Sequence, residues 1–352
     1  VVHLEVGQPA TRAPSGARHA AKQAIDADNL GYTLALGMPA LRERISAHYR
    51  DAYGVDVSPD RVVVTSGSSA GFVLAFLTLF DIGDRVALPS PGYPCYRNIL
   101  KALGQEYVTL ETSADTRWMP TVEQLRDSGD VRGLLIASPN NPTGTMIEPA
   151  RLAALAGHCD GNGQWLISDE IYHGLTYEAP AETALKYTDN AIIIHSFSKY
   201  FSMTGWRVGW MIMPEALVET VERLAQNLYI CAPAVSQAAA LGAFESIAEC
   251  EANVEVYRQN RQLLLKGLPE VGLSEIVPAD GAFYLYVDVS ALTNNSLEFS
   301  RLMLAETGVA ATSGFDFDET RGSRYLRFSY AGRQSDMQEA IERLGGWARL
   351  KG

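Results

Sequence analysis

Two cations of different chemistry stand eight residues apart in His195-Ser-Phe-Ser-Lys199-Tyr-Phe-Ser-Met-Thr-Gly-Trp-Arg207-Val-Gly-Trp210. A lysine amine condenses with a carbonyl to a Schiff base once burial or a neighbouring cation lowers its pKa toward neutral. An arginine fork matches a phosphate dianion, and Ser196, Ser198 and Ser202 add neutral donors. Pyridoxal phosphate, an aldehyde-bearing ring with a phosphate arm, needs both groups side by side. By default a Lys and an Arg on a polar loop are simply solvated. Here Phe197, Phe201, Trp206 and Trp210 interleave with them, which favours a lined pocket.

Other stretches carry groups that suit the same ligand, each with a plainer alternative. Ser66-Gly-Ser68-Ser69-Ala-Gly71 joins a strand pattern to an apolar helical one. Free backbone N–H groups and the positive end of the helix dipole make such a junction a generic anion cradle. The same residues fit the Gly-x-Ser-x-Gly elbow of α/β-hydrolases with Ser69 as nucleophile, and Asp169 and His195 follow in the required order. No His-Gly-Gly oxyanion loop precedes them, and tight helix–strand packing also selects small residues. In Ser138-Pro-Asn-Asn141-Pro-Thr-Gly144 two prolines bracket two asparagines. That rigidity aims the Asn141 amide at a fixed point, such as a phenolate oxygen, although a surface turn has the same composition.

Asp169 follows an apolar run, and a buried carboxylate there needs a cation such as a pyridinium nitrogen. Tyr172, three residues on, is placed to reach the neighbouring ring oxygen; a helix cap is the alternative for Asp169. Tyr93, in Pro91-Gly-Tyr93-Pro94, suits stacking on an aromatic ring or ordinary packing. Arg327 sits in an apolar strand pattern and must be paired there, with a substrate carboxylate or with an internal acid. Gly7, before Gln8-Pro9, admits a close backbone approach to a ligand or a simple turn.

The frame that must assemble these residues is legible as alternation. Strands are expected at 61–65, 85–88, 107–110, 133–137, 164–168, 191–194 and 208–212, with helices such as 39–53, 72–80, 121–127 and 149–159 between them. That order predicts an α/β fold with a mostly parallel sheet, whose ligand loops follow the strands' carboxyl ends. Ser68, Ser69, Tyr93, Asn141, Asp169 and Lys199 all lie in such positions. From Pro233 the pattern becomes a long helix, 234–268, then a strand within 281–288, a helix 296–307, a strand 325–330 and a helix 335–350. This second part reads as a smaller α+β domain.

The bulk numbers exclude several classes. Of 352 residues 47% are hydrophobic and 20% charged, ordinary for a soluble globular chain. A net charge of -12 without a dense basic run argues against nucleic-acid or anionic-membrane partners. The most apolar segment, 70–80, is too short to span a bilayer. No basic stretch followed by an apolar one opens the sequence, so no secretory leader is expected, and with no Met at its start a few residues are expected to precede Val1. Four scattered cysteines without a Cys-x-x-Cys suggest reduced thiols in the cytoplasm. No metal site is expected.

Together the motifs resemble the class I and II aminotransferases among the fold-type I pyridoxal-phosphate enzymes, from about Gly7 to Arg327 and beyond. The resemblance implies an aspartate-aminotransferase-like architecture. A seven-stranded sheet would lie in a large cofactor domain (31–245), joined by an N-terminal arm (1–30) and a small C-terminal domain (246–352). It implies Lys199 as the Schiff-base lysine, Asp169 as partner of the ring nitrogen, Asn141 and Tyr172 on the ring oxygen and Tyr93 stacked on the ring. Arg207, Ser196, Ser198, Ser68 and Ser69 would hold the phosphate, with Tyr32 reaching it from the other subunit of a homodimer. Arg327 would bind the substrate α-carboxylate, near Gly7 and Asn141. The reaction implied is ping-pong transfer of an amino group between an amino acid and a 2-oxo acid. A pyridoxal-phosphate C–S lyase is the first alternative and a serine hydrolase on Ser69 the more distant one. No second arginine stands out for a dicarboxylic side chain.

Overall fold

The computed structural model describes residues 1–350. Its strands are β1 Val2–His3, β2 Val62–Thr65, β3 Arg85–Ser90, β4 Glu106–Glu111, β5 Gly133–Ala137, β6 Trp165–Asp169, β7 Ile192–Ser196, β8 Gly209–Ile212, β9 Tyr284–Asp288, β10 Val309–Ala310, β11 Thr312–Ser313 and β12 Tyr325–Ser329. The helices are α1 Ser15–Asp26, α2 Pro39–Tyr53, α3 Ser68–Leu79, α4 Cys95–Ala102, α5 Val122–Asp127, α6 Pro149–Asn162, α7 Glu215–Leu228, α8 Ala234–Ala243, α9 Ile247–Glu270, α10 Ser296–Thr307 and α11 Gln334–Gly345.

Seven strands form one sheet in the order β2-β8-β7-β6-β5-β3-β4. Neighbours are parallel except that β8 runs antiparallel to both β2 and β7. The central strands are buried, β7 along its whole length and β5 and β6 except at Ala137 and Trp165, as a sheet covered on both faces requires. Side-chain alternation sorts them into two cores. Ile192 and Ile194 pack with Phe72, Phe76 and Met211, whereas Ile193 packs with Leu134, Phe197 and Trp210.

A second, antiparallel sheet of β11, β12 and β9 carries Arg327 opposite Tyr286. The short β1 pairs in parallel with β10, so the start of the chain is fixed beside this sheet. Thr312 Oγ1 also donates to Glu5 O, 3.0 Å, just before the chain enters the cleft at Gly7.

Two expected helices differ from those found. The run 234–268 is interrupted by a 3-10 turn at Phe244–Ser246. Its apolar periodicity continues through the break because Phe244 is itself buried in the core. The interruption is tertiary: Ser246 Oγ accepts the N–H of Gly16 in the first turn of α1, 3.0 Å. The last helix ends at Gly345, not Leu350, where two glycines weaken the helical state, and a 3-10 turn, Ala348–Leu350, follows. No helix among the described residues is long and apolar enough to cross a membrane.

Candidate active site

Residues from every chemically suggestive stretch but one meet in a cavity of about 340 Å³ at the carboxyl ends of the parallel strands. Gly7, Ser68, Ser69, Tyr93, Asn141, Asp169, Tyr172, Ser198, Lys199, Arg207 and Arg327 all line it. Few of them are neighbours in sequence. The sheet brings them together by ending its strands at one edge.

Lys199 follows β7 and is half-buried. Its Nζ donates to Gly7 O at 2.6 Å and lies 5.8 Å from the Tyr172 ring centroid. The lysine is thereby held over the cavity by the arm of the chain that precedes α1.

Asp169 is the last residue of β6, fully buried. Tyr96 Oη donates to its Oδ2 (2.5 Å) and the Ile171 N–H to its Oδ1 (3.1 Å). Burial pushes its carboxyl up to about 6, and the two hydrogen bonds and Lys199 only partly oppose this. A turn follows it, so it does not cap a helix. A buried carboxyl held this way gains most from a cationic hydrogen-bond donor.

At the other end of the cavity, Ser68 and Ser69 are not a loop ahead of a helix. They are the first turn of α3, with Gly67 as the N-cap residue at φ 81°. A Cβ on Gly67 would lie 2.3 Å from Arg207 Nη2, so glycine is needed for both the backbone angle and the approach. Arg207 Nη1 donates to Thr204 O (3.0 Å), and the guanidinium forms no ion pair among the described residues. An unpaired guanidinium beside a helix N-terminus and two hydroxyls suits a phosphate.

Arg327, only 7% exposed, forms no ion pair either, so the internal salt bridge is absent among the described residues. Its Nη1 donates to Asn141 Oδ1 (2.8 Å) and its Nη2 to Glu5 O (2.7 Å). Tyr284 and Phe317 flank the guanidinium, with ring centroids 4.3 and 4.7 Å from Cζ. A charge so placed awaits an anion from the cavity. With Oδ1 of Asn141 engaged, its amide NH2 is the group left to donate.

Three expected site residues behave differently. Ser196 does not face the cavity. Its Oγ accepts the Ser198 N–H (3.1 Å) and lies 2.9 Å from Ser198 Oγ, so it braces the turn that presents Ser198. Tyr32 is 85% exposed and does not line the cavity of its own chain. His195 points through the opposite face of the sheet. It stacks on Trp210 (centroids 4.1 Å apart) and lines a separate cavity with His48 and His173. It makes no hydrogen bond to Ser69 or Asp169 among the described residues, so the serine-hydrolase triad is not formed.

Two residues escaped the sequence reading. Tyr96 was hidden because its role exists only once α4 packs against the end of β6. Tyr284 Oη lies 2.9 Å from Tyr172 Oη, and a Cβ on Gly7 would fall 2.0 Å from the Tyr284 hydroxyl. The alternation in 281–288 was its only signal, and that marks a strand without marking a site.

Known proteins share the sequence pattern and the fold of this chain. The family described as aminotransferase class I and II matches residues 1–344. The chain is 49% identical over 352 residues to a valine–pyruvate aminotransferase of Mycobacterium tuberculosis, covering 99% of this chain and 91% of that one. It superposes on the crystal structure of a putative aminotransferase from Silicibacter pomeroyi with a TM-score of 0.94 at 51% identity, covering 100% and 91% of the two chains. Against the aspartate aminotransferase of Thermus thermophilus with maleate, the TM-score is 0.93 at 30% identity, with 98% and 91% covered.

Proposed function

The chain belongs to the class I and II aminotransferase family, and on that footing we propose which of its residues carry amino-group transfer between an amino acid and a 2-oxo acid. One observation carries the assignment. A lysine, a buried carboxyl, an unpaired arginine at a helix N-terminus and a second unpaired arginine share a single cavity.

The residues fit pyridoxal phosphate. When bound, it supplies the aldehyde carbon that takes the amino group and a pyridinium ring that accepts the electron pair left at the substrate α-carbon. Arg207, Ser68, Ser69 and Ser198 would hold the phosphate, with Ser196 acting through Ser198. Asp169 would keep the ring nitrogen protonated, a role for which its burial and its hydrogen bond from Tyr96 prepare it. Asn141 Nδ2 and Tyr172 Oη would donate to the ring oxygen, and Tyr93 would cover the ring. Lys199 Nζ would be the amine that condenses with the aldehyde. When freed, Nζ would take the substrate α-proton and later return one, as base and then acid. The two half-reactions follow in ping-pong order.

Arg327 binds the substrate α-carboxylate, with Asn141 and Gly7 at its side. Arg207 and Arg327 are the arginines on the cavity wall, and both are then engaged. Among the described residues of one chain, none remains for a side-chain carboxylate. This supports a donor with an uncharged side chain and a short 2-oxo acid acceptor, in line with the name of the mycobacterial relative. Tyr32 reaches the phosphate of a second copy in a homodimer, which accounts for a tyrosine that is 85% exposed in a single chain. We further place the domain divisions at 1–30, 31–245 and 246–352. Four free thiols, Cys95, Cys159, Cys231 and Cys250, support a cytoplasmic setting. A screen of amino donors against pyruvate and 2-oxoglutarate, with sulfide and ammonia release monitored, tests the assignment. Oxo-acid-dependent transfer from valine or another neutral donor supports it. Release of sulfide or ammonia without an acceptor would favour the lyase.

A further inference from the structure

Tyr284 touches three parts of the site that the proposed mechanism uses separately. Its Oη is 2.9 Å from Tyr172 Oη, its ring lies 4.3 Å from Arg327 Cζ, and its hydroxyl fills the space that a Gly7 side chain would take. Gly7 in turn accepts from Lys199 Nζ. The side chain is fully buried in β9, and no other polar side chain engages its hydroxyl among the described residues. We propose that Tyr284 is a positioning residue with two separable parts: its hydroxyl donates to Tyr172 and so strengthens the Tyr172 hydrogen bond to the cofactor's ring oxygen, while its ring shelves Arg327 for the substrate carboxylate.

The proton count favours this direction. If Tyr172 donates its single proton to the ring oxygen, its own oxygen is free only to accept. Tyr284 Oη is the neighbour at hydrogen-bond distance that has a proton to give. Chained hydrogen bonds polarise one another, so each donor makes the next a better one. Burial, the largest effect, holds the Tyr172 phenol well above the usual tyrosine range, with Arg327 opposing, so Tyr172 remains a protonated donor. The titratable and charged groups sharing the cavity with this pair are Lys199, Asp169, Arg327, Arg207, Tyr93 and Tyr96.

The inference rests on the placement of Tyr172 at the ring oxygen, and the test separates the two. In the cofactor-loaded enzyme, the proton on the Lys199 nitrogen is held by the adjacent ring-oxygen anion. A donor to that oxygen drains its charge and lowers the apparent pKa read from the visible absorbance. Tyr284→Phe keeps the ring and removes the donor. It should raise that pKa by roughly 0.2–0.6 units, while KM for the amino acid stays within about twofold. Tyr284→Leu also removes the shelf, and should raise KM by about fivefold or more. In a Tyr172→Phe background, Tyr284→Phe should produce no further shift. A 3-fluorotyrosine at position 284, a better donor of nearly the same shape, should move the pKa down, which keeps the test open if the Phe variant fails to accumulate.

If Tyr172→Phe shifts the pKa and Tyr284→Phe does not, Tyr284 is a packing residue and the inference falls alone. An undiminished Tyr284→Phe shift in the Tyr172→Phe background would also overturn it, because the effect would then bypass Tyr172. If Tyr172→Phe itself leaves the pKa unmoved, the placement of Tyr172 fails and the inference fails with it.

Discussion

Replacing Asp169 by asparagine should make the cofactor-free protein more stable and the enzyme far slower. The carboxyl is fully buried and its pKa rises from 3.8 to about 6, chiefly through desolvation. A shift of about two units corresponds to about 3 kcal/mol against the ionised form in the fold. The amide carries no charge, and its oxygen still accepts from one of the two donors now present, Tyr96 Oη or the Ile171 N–H. Allowing about 1 kcal/mol for the poorer hydrogen-bond set leaves a gain of roughly 1–3 kcal/mol. With an unfolding entropy of roughly 2 cal/mol/K per residue, the gain raises Tm by roughly 1–4 °C. The pH dependence follows from the direction of the shift. The penalty is absent below the unfolded pKa near 4, grows as pH rises from there to about 6, and is constant above. Calorimetry of both cofactor-free proteins between pH 5 and 8 should therefore show a gap that is full at pH 7–8 and narrows below 6. The loaded variant should lose about two to three decades in kcat, because an amide cannot stabilise a pyridinium. A variant less stable than wild type at pH 8, with a gap independent of pH, would show Asp169 to be a structural hydrogen-bond acceptor and refute this account of it.

Arg327→Lys should lower kcat/KM by at least about a hundredfold with the cofactor spectrum unchanged, since an ammonium cannot reproduce a bidentate fork; steady-state kinetics and absorbance check this together. Gly67→Ala forces the fork of Arg207 aside and adds strain at a positive φ. Cofactor affinity measured by equilibrium dialysis should fall by about one to two decades, with activity recovered in excess cofactor. Tyr32→Phe mixed with Lys199→Ala, dissociated and reassociated, should regain activity above either parent dimer, because one site in each mixed dimer is then intact. No gain would place Tyr32 outside the partner's site.

Much of the large sheet could be read from the chain because its signals are local. α2 runs from Pro39 to Tyr53 as the proline start and apolar spacing require. β5 occupies Gly133–Ala137 because a short apolar run between turns has few other uses. Most of the cavity was legible for a related reason: strand-end residues in a parallel sheet share one edge, so Asp169, Asn141 and Lys199 had to converge. Contacts between distant segments left no local trace. The Ser246–Gly16 bond that breaks the helix at 244–246, Tyr96 on Asp169 and Tyr284 on Tyr172 depend on packing across 230, 73 and 112 residues of chain. Ser196, expected among the phosphate ligands, has its hydroxyl engaged with the Ser198 turn, a contact that residue type and spacing do not reveal.

The identity of the Schiff-base lysine tests the central claim most directly. The wild type, loaded with pyridoxal phosphate and reduced with borohydride, should carry one cofactor per chain on the peptide that contains Lys199 when digested and sequenced by mass spectrometry. Lys199→Ala, folded by circular dichroism, should carry none and lack turnover. Stoichiometric labelling at any other lysine, or turnover in Lys199→Ala near the wild-type rate, would contradict the assignment.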